Sequence, residues 1–314
     1  MADIPSNRYH KEATEWEYLP FSREEDEERH VAYGEASTKC PTYNERTPPC
    51  TNACPAGEDI RGYNNILRGI WPADDPWEAA WRRLTTKNPF PAIMGRVCPA
   101  PCQSKCNRQF RDETIGINAI EHALGQYAIE KGFGFEKPTT KTDKKIAVVG
   151  GGPGGLSNAY QLALRGHNVT IFEREAKLGG MMRYGIMGYR IDRDVMDAEI
   201  KRITDLGMEI KTNTNIGTDV TLDQLSKDYD AVFLAVGAQN GRDIPIPGGE
   251  GAGCTNAIEF LRGFEHAGGP GSDYASKIGK HVLVIGDGDV AMDVARLALR
   301  LGSKATLLSG VARE

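Results

Sequence analysis

The chain has 314 residues, of which 40% are hydrophobic and 26% are charged, and its formal net charge is -5. This length and composition are ordinary for a globular protein with more than one core, and the acidic balance argues against nucleic acid as a partner. No apolar run approaches the roughly 18 residues of a membrane span, and the N-terminus lacks the basic start and apolar segment of a secretory signal. We therefore expect a cytoplasmic protein whose thiols stay reduced.

Helical patterning dominates the chain up to about residue 142. Apolar residues recur at i, i+3 and i+4 in the segments that begin at Asp59 and Pro76, and again from Ile115 to Glu130. The charged run from Ser22 to His30 favours a solvated helix face over a docking tail. The polar stretch EKPTTKTDKK, residues 136–145, then indicates a domain boundary.

Strands and helices alternate beyond this boundary. IAVVG is typical of a buried parallel strand, and it is followed by a predicted helix from about Gly154 to Arg165 and by the predicted strand NVTIFE. AVFLAVGA, residues 231–238, predicts another buried strand, and HVLVIG, residues 281–286, begins a second βαβ unit. The stretch HAGGPGSDYASK, residues 266–277, is rich in Gly and Pro, and we expect a linker or lid there.

The first glycine loop follows a predicted strand directly and opens a predicted helix. It is Gly150-Gly-Gly-Pro-Gly-Gly155, a G-x-G-x-x-G pattern. Gly150 permits a tight turn, Gly152 lets backbone amides approach a pyrophosphate, and Gly155 allows the helix to pack closely. Glu173 ends the next predicted strand 23 residues after Gly150, where an acid can bind ribose hydroxyls. This combination predicts a dinucleotide site.

The second glycine loop is Gly286-Asp-Gly-Asp-Val-Ala291, a G-x-G-x-x-A pattern between a predicted strand and the helical run MDVARLALRLG. The next strand, ATLLS, ends near Ser309. A second nucleotide site is the favoured interpretation, and a structural turn without ligand is the alternative. Its candidate residues are Gly286, Gly288, Asp289 and Val290. Because the chain stops at Glu314 inside this unit, we expect a C-terminal portion of the domain to lie elsewhere.

Two dinucleotide loops in one chain are typical of a flavoprotein reductase, with a retained FAD on the first loop and an exchanging nicotinamide on the second. Disulfide reduction, the alternative flavin chemistry, needs a redox pair of cysteines beside the flavin. No cysteine occurs between Gly150 and Gly249, so we discount this alternative. We see no nucleophile constellation and name no catalytic residue.

Six of the seven cysteines lie between Cys40 and Cys106. Their spacings are C-x9-C-x3-C-P from Cys40 and C-x3-C-x3-C from Cys98. Structural zinc sites usually take two tight C-x2-C pairs, whereas a 4Fe-4S cluster takes four thiolates. Two triplets of thiols therefore favour iron–sulfur clusters, with zinc and unliganded thiols as the alternatives. The candidate ligands are Cys40, Cys50, Cys54, Cys98, Cys102 and Cys106.

Five segments carry a resemblance to a known family. They are NPFPAIMGRVCPAPCQSKCNR, TIGINAIEHAL, the run from VVGGGPGGLSNAYQ to GGMMRYGI, DAVFLAVGA, and VLVIGDGDVAMDVARLALRLG. In this order they resemble the small subunit of bacterial glutamate synthase and the N-terminal half of dihydropyrimidine dehydrogenase, from about Cys40 onward. The resemblance implies an α/β fold in which a helical 4Fe-4S domain (residues 1–142) precedes two nested Rossmann-like domains. These would be an FAD domain (143–270) and the start of an incomplete NAD(P)H-binding domain (271–314).

The resemblance also implies a distribution of cluster ligands. Cys54, Cys98 and Cys102 correspond to three ligands of one cluster, and Glu121 occupies the position of its fourth ligand, which is not a thiol. Cys50 and Cys106 correspond to ligands of the other cluster. The family joins these with two upstream cysteines, whereas this chain has Cys40 at a longer spacing and Glu45 near the other expected position. The second cluster is therefore expected to be absent, held by three cysteines, or completed by oxygen or by a partner.

For the flavin, the resemblance places Glu173 at the ribose, Ile216 at the adenine, and the segment from Ala235 to Gly237 under the ring system. Gly180, Met181 and Arg190 would lie toward the isoalloxazine end, with a surface ion pair as the alternative for Arg190. The full set of expected FAD-binding residues is Gly150, Gly152, Pro153, Gly154, Gly155, Glu173, Arg174, Gly180, Met181, Arg190, Ile216, Ala235 and Gly237.

The residues after the last predicted strand indicate whether the chain prefers NAD(H) or NADP(H). Relatives that use NADPH carry a Tyr-Arg-Arg-like run there, and arginine suits a 2′-phosphate. The corresponding residues here are Ser309, Gly310 and Val311, which favour NAD(H) over NADP(H), although Arg313 lies nearby.

The resemblance implies an electron-transfer flavoprotein subunit. It would exchange hydride between NAD(H) and FAD and relay single electrons through one or two 4Fe-4S clusters to or from a partner oxidoreductase. That partner would be a glutamate synthase large subunit or an aldehyde or oxoacid oxidoreductase complex. The alternatives are a free-standing NAD(P)H:acceptor reductase that serves a ferredoxin-type carrier, and a non-catalytic assembly subunit that binds FAD.

Overall fold

The structure is a computed structural model that describes residues 47–241 and 245–310, so Cys40, Glu45 and the charged run 22–30 lie outside the described residues. The chain separates into two compact units, residues 1–131 and 132–314. Within the described residues, no helix is long and apolar enough to cross a membrane. The three domains expected from the sequence, with boundaries at 142 and 270, stay a prediction.

The first unit is helical in its described part. Its helices are α1 (Pro49–Ala53), α2 (Ile60–Leu67), α3 (Pro76–Thr85), α4 (Pro91–Val97), α5 (Pro101–Ser104) and α6 (Ile117–Glu130), with a 3₁₀ turn at Asn107–Phe110. Proline at the first helical position begins α3, α4 and α5 because its missing N–H is not needed there. Asp59 and Asp75 cap α2 and α3 by accepting hydrogen bonds from first-turn N–H groups. The apolar positions that predicted these helices form the core, in which Tyr63, Trp81 and Leu124 are fully buried.

Helices α4 and α6 cross at two glycines that leave no room for a side chain. A Cβ added at Gly125 would lie 2.2 Å from the backbone N of Ala92, and one added at Gly95 would lie 2.5 Å from the backbone N of His122. Small residues at such a crossing let the two backbones approach each other closely. This contact holds the segment that leads into Cys98 against the helix that carries Glu121.

The second unit contains the predicted alternation of strands and helices. Its elements are β1 (Lys145–Val149), α7 (Pro153–Leu164), β2 (Asn168–Phe172), α8 (Met181–Tyr184), α9 (Arg193–Thr204), β3 (Glu209–Lys211), α10 (Leu222–Asp228), β4 (Ala231–Leu234), α11 (Ala257–His266), a 3₁₀ turn at Asp273–Lys277, β5 (His281–Ile285), α12 (Asp289–Arg300) and β6 (Lys304–Leu308). The first four strands form one parallel sheet in the order β3-β2-β1-β4, and β5 pairs with β6 in a second parallel sheet. The α/β fold class predicted from the sequence is confirmed.

The strand predicted over residues 231–238 is shorter and less buried than expected. It ends at Leu234, and Leu234 and Val236 are 55% and 57% exposed. The reason is topological, because β4 lies at the edge of its sheet and pairs with β1 alone among the described strands. An apolar run therefore indicated a strand correctly but overstated its burial.

Within the Gly- and Pro-rich stretch 266–277, which connects α11 to β5, Tyr274 is packed against the fold while most of the other residues are exposed. Tyr274 donates a hydrogen bond to the carbonyl of Phe260 (2.8 Å) and contacts the rings of Phe260 and Phe264 edge-on. The same α11 residues pack with Val294 and Leu297 of α12 in one apolar cluster. This cluster supports the second βαβ unit from one side.

We predict that Gly125→Ala destabilises the protein. The new Cβ overlaps the Ala92 backbone, and overpacking of this kind costs about 1–3 kcal/mol. Replacing a helical glycine by alanine recovers only about 0.5–1 kcal/mol, so the net effect is a lower free energy of unfolding. Urea denaturation followed by circular dichroism measures the change. Gly134→Ala is the matched control, because Gly134 is exposed and has nothing within 4 Å of an added Cβ.

Candidate functional site

The first glycine loop is a tight turn between β1 and α7 in which backbone atoms lie too close for side chains. Gly150 has a φ of 106°, and a Cβ added there would lie 2.3 Å from the carbonyl oxygen of Ala235. A Cβ added at Gly155 would lie 1.8 Å from the carbonyl oxygen of Gly150. Gly152 caps α7, and Pro153 and Gly154 at the helix start are exposed. This turn fits a pyrophosphate, because it presents free N–H groups of a helix N-terminus with no side chain in front of them.

Glu173 lies beside this loop, immediately after β2. Its Oε2 accepts a hydrogen bond from the N–H of Gly151 (2.7 Å), and its Oε1 accepts one from the N–H of Glu175 (2.9 Å). Strands β1 and β2 end at the same edge of the sheet, since Val149 at the end of β1 pairs with Phe172 at the end of β2. The carboxylate is therefore held at the loop, at the position where a ribose is bound in nucleotide-binding folds of this kind.

The segment around Gly180 lies against the same loop. The N–H of Gly179 donates to the carbonyl of Gly151 (2.8 Å), and a Cβ added at Gly180 would lie 2.7 Å from the Cα of Gly152. Met181 follows as the first residue of α8. The structure thus brings Gly180 and Met181 to the first loop.

The other predicted flavin residues are distributed around this edge. Arg174 donates to the side chain of Gln239 (2.7 Å), two residues after Gly237. Ile216 packs on the cluster that contains Phe172. Arg190 donates from Nη1 to Oδ2 of Asp293 on α12 (2.7 Å), and this ion pair is partly buried rather than on the surface, since Asp293 is buried. Their roles toward a flavin stay predictions.

The second glycine loop adopts the same conformation between β5 and α12. Gly286 has a φ of 135°, and Gly288 caps α12 with an extended backbone. Asp287, which the sequence interpretation did not single out, accepts a hydrogen bond at Oδ2 from Oγ of Ser309 (2.5 Å). Val311 and Arg313, which bear on the nicotinamide preference, lie outside the described residues.

Backbone N–H groups of the first unit point at several of the cysteine sulfurs. The N–H of Ala100 donates to Sγ of Cys98 (3.4 Å). Backbone N–H groups of Ala56 and Glu58 lie near Cys54, and that of Gln103 lies near Cys102, where they favour the thiolate. Burial raises the pKa of the Cys54 thiol, and burial together with the Glu121 charge raises the pKa of Cys102 to about 12. N–H donors of this kind stabilise thiolates, and in iron–sulfur proteins they tune the cluster potential.

The electrostatic influences among the cysteines are compatible with the two groups that the family resemblance implies, and the ligand sets themselves stay predictions. Cys54, Cys98, Cys102 and Glu121 are close enough to influence one another's charge, and so are Cys50 and Cys106. In the part of the chain that the structure describes, no three His, Cys, Asp or Glu side chains converge on a single metal ion. A polynuclear cluster binds each ligand at a different iron, so its ligands stand further apart than those of one zinc ion. Thiolates are the usual ligands of an iron–sulfur cluster, so the donor types present fit such a group.

A buried acidic pair lies among these thiols. Glu58 and Glu121 are 6% and 4% exposed, and their carboxyl groups are hydrogen-bonded to each other. Burial, with the neighbouring Glu121 charge as a second cause, raises the pKa of Glu58 to about 9. Tyr63, which is fully buried, donates from Oη to Oε1 of Glu121 (2.8 Å). Burial also raises the pKa of Glu121, and its Oε1 is held by the Tyr63 hydroxyl.

The sequence interpretation named Glu121 but missed Glu58 and Tyr63. Glu58 stands four residues after Cys54, next to the capping residue of α2, and such a position usually carries a solvated carboxylate. Its burial becomes visible only when α6 is packed against α2. Asn88, which is also buried, hydrogen-bonds the Glu58 side chain and completes the network.

Two family matches cover most of the chain. The family described as pyridine nucleotide-disulphide oxidoreductase matches residues 144–313. The family described as dihydropyrimidine dehydrogenase domain II, 4Fe-4S cluster, matches residues 22–133. The first match contains both glycine loops, and the second contains all six clustered cysteines and Glu121.

Curated relatives show the same likeness. The chain is 36% identical over 260 residues to the glutamate synthase (NADPH) small chain of Bacillus subtilis, covering 81% of this chain and 52% of that one. It is 37% identical to the NADP(+)-dependent formate dehydrogenase subunit beta of Moorella thermoacetica, covering 82% and 38%. It is 37% identical to the NAD-dependent dihydropyrimidine dehydrogenase subunit PreT of Escherichia coli, covering 85% and 62%.

These relatives confirm the resemblance predicted from the sequence, and with it an N-terminal iron–sulfur region followed by a nucleotide-binding α/β region. The chain spans about half the length of the curated relatives it matches.

We predict that Cys102→Ala lowers the iron and sulfide content by about four atoms of each per chain, since one 4Fe-4S cluster needs every ligand of its set. Anaerobic purification followed by iron and sulfide assays measures the loss. Cys254→Ala is the matched control, because Cys254 is exposed and lies outside the cysteine cluster. An unchanged iron content in Cys102→Ala would show that this thiol is not a ligand.

Proposed function

Because the chain belongs to the pyridine nucleotide-disulphide oxidoreductase family, we propose that it is an electron-transfer subunit that exchanges hydride between NAD(H) and a bound FAD. We further propose that it relays single electrons through 4Fe-4S clusters to or from a partner oxidoreductase subunit. The observation that carries this proposal is the presence of two similar strand-to-helix glycine turns in a chain that also has a cluster of thiols, of which Cys98 accepts a backbone N–H hydrogen bond. When bound, the flavin accepts electrons in pairs and releases them singly, and the clusters conduct single electrons.

The first loop is the proposed FAD site. The N-terminus of α7 would hold the pyrophosphate, and Glu173 would accept hydrogen bonds from the ribose. The carbonyl of Ala235 against Gly150, and Gly180 against Gly152, form a wall of backbone atoms without bulky side chains. We propose that the ring system of the flavin would lie along these backbone atoms. The chain's contribution is therefore binding and orientation.

The second loop is the proposed site of the exchanging nucleotide. The N-terminus of α12 would bind its pyrophosphate, with Asp289 and Val290 in the first turn of the helix. We propose NAD(H) as the preferred nucleotide, since Ser309 and Gly310 offer no cation where arginine would bind a 2′-phosphate.

The cysteines of the first unit are the proposed cluster ligands. Cys54, Cys98, Cys102 and Glu121 would hold one cluster, and Cys50 and Cys106 would belong to a second. These five thiols, together with Cys40 of the sequence, make six clustered cysteines, which are compatible with a reducing compartment, so we place the protein in the cytoplasm. The named relatives are subunits of larger oxidoreductases, which supports a partner such as a glutamate synthase large subunit or an aldehyde or oxoacid oxidoreductase complex.

We predict that Glu173→Gln lowers FAD affinity by about 10- to 100-fold, because a hydrogen bond to a charged acceptor is worth about 1.5–3 kcal/mol. The flavin content after purification and the dissociation constant for added FAD measure the effect. Glu209→Gln is the matched control, since Glu209 is a carboxylate at the exposed edge strand β3. Equal FAD affinity in the two variants would remove Glu173 from the site.

We predict that NADH bleaches the flavin absorbance of the anaerobic protein, and that the reduced iron–sulfur signal appears afterwards in the electron paramagnetic resonance spectrum. The order follows from two-electron entry at the flavin and single-electron transfer to the clusters. Stopped-flow absorbance and freeze-quenched spectra measure both steps. A flavin that neither NADH nor NADPH reduces would instead support a non-catalytic assembly subunit.

A further inference from the structure

Residues 132–314 contain two βαβ units whose elements have the same spacing along the chain. Each element of the later unit begins 136 residues after its counterpart, with His281 after Lys145, Asp289 after Pro153 and Lys304 after Asn168. The three elements also have equal lengths in both units. Asp287 therefore occupies the place of Gly151 in the loop, and Ser309 occupies the place of Glu173 after the second strand.

The contact between the loop residue and the strand-end residue is also repeated. The acidic side chain belongs to the strand end in the first βαβ unit and to the loop in the second. In the first βαβ unit the N–H of Gly151 donates to Oε2 of Glu173 at 2.7 Å. In the second βαβ unit Oγ of Ser309 donates to Oδ2 of Asp287 at 2.5 Å. Both contacts join residues that are 22 positions apart. A carboxylate is thus present at the same edge in both βαβ units. The strand end supplies it in the first, and the loop supplies it in the second.

The two loop positions differ in the room they leave for a side chain. A Cβ added at Gly151 would lie 2.3 Å from a methyl group of the Leu178 side chain, which would have to shift, whereas Asp287 is exposed. In the second βαβ unit the residue after the second strand is Ser309, and its hydroxyl holds the carboxylate of Asp287 in one orientation. The 2.5 Å separation is typical of an O–H donor to a charged oxygen.

We propose that Asp287 is the residue that selects NAD(H) over NADP(H), by accepting a hydrogen bond from the adenine ribose 2′-hydroxyl and repelling a 2′-phosphate. The proposal rests on the proposed function, in which the second loop binds the exchanging nucleotide. A carboxylate that accepts from ribose hydroxyls is the usual NAD determinant, but it usually stands at the strand end, where this chain has Ser309.

The repulsive part of the selection follows from charge. A phosphate monoester carries about -1.5 to -2 charges at pH 7, so a nearby fixed carboxylate disfavours it. Ser309 and Gly310 add no cation to offset this repulsion. Asp287 thus supplies a reason for NAD(H) preference beyond the missing arginines.

The test compares nucleotide affinities of the FAD-loaded full chain and of Asp287→Asn, which removes the charge and keeps the shape. Isothermal titration with NAD⁺ and with NADP⁺ measures binding directly, and anaerobic flavin bleaching by NADH and NADPH gives a second readout. We expect the wild type to favour NAD⁺ and the variant to lose about 10- to 30-fold of that preference, mainly through tighter NADP⁺ binding. Asp273→Asn is the matched control, because Asp273 is an exposed carboxylate outside the loop.

The outcomes separate the inference from the function on which it rests. If the wild type binds NAD⁺ and its flavin is bleached, but Asp287→Asn keeps the wild-type preference, the inference is wrong and the function stands. A wild-type preference for NADP⁺ would also overturn the inference. If neither nucleotide binds the wild type, both the function and the inference fail. A similar loss of preference in Asp273→Asn would assign the effect to net charge and overturn the role of Asp287.

Discussion

The close approach of the β1 turn to the backbone of its neighbours is the constraint on which the nucleotide edge of this protein depends. Gly150 touches the carbonyl of Ala235, and Gly155 touches the carbonyl of Gly150, so neither position can carry a side chain. This turn starts α7 within a few residues of the strand end and points its free N–H groups outward. Because the strands are parallel and in register, Glu173 arrives at the same edge. A single backbone geometry thus assembles the amide donors and the acid that a dinucleotide requires.

The first unit is governed by a different constraint, the need to satisfy polar groups that are buried. A carboxylate removed from water is unfavourable unless it is hydrogen-bonded. Glu121 accepts a hydrogen bond from Tyr63 and lies against the carboxyl of Glu58, which is hydrogen-bonded in turn by Asn88. The network holds the carboxyl oxygens of Glu121 in place among the cysteine sulfurs. Among these sulfurs, that of Cys98 accepts a hydrogen bond from a loop backbone N–H group. Oxygen and sulfur ligands that are hydrogen-bonded in this way are the kind whose orientation is set by their surroundings.

The sequence was sufficient to predict the elements whose signals are local. The glycine loops, the following helices and Glu173 depend on residues within about one βαβ unit, and their predicted positions agree with the structure. The burial of β4 was overstated because an apolar run does not reveal whether a second strand lies beside it. Within the stretch 266–277, the packing of Tyr274 on α11 was not expected because the surrounding glycine and proline conceal it. Glu58 and Tyr63 were missed because their partner, Glu121, lies 58 positions beyond Tyr63.

By itself, therefore, the sequence determined the fold class, the two nucleotide turns and the family, since these depend on local backbone preferences and on the spacing of glycine, cysteine and apolar residues. The tertiary structure alone decided which side chains share a site. It placed the carboxyl of Glu58 against that of Glu121, and the carboxylate of Asp287 against the hydroxyl of Ser309. The physical reason is that hydrogen bonding and burial are properties of neighbours in space, and these neighbours are set by helix crossings and strand register rather than by distance along the chain.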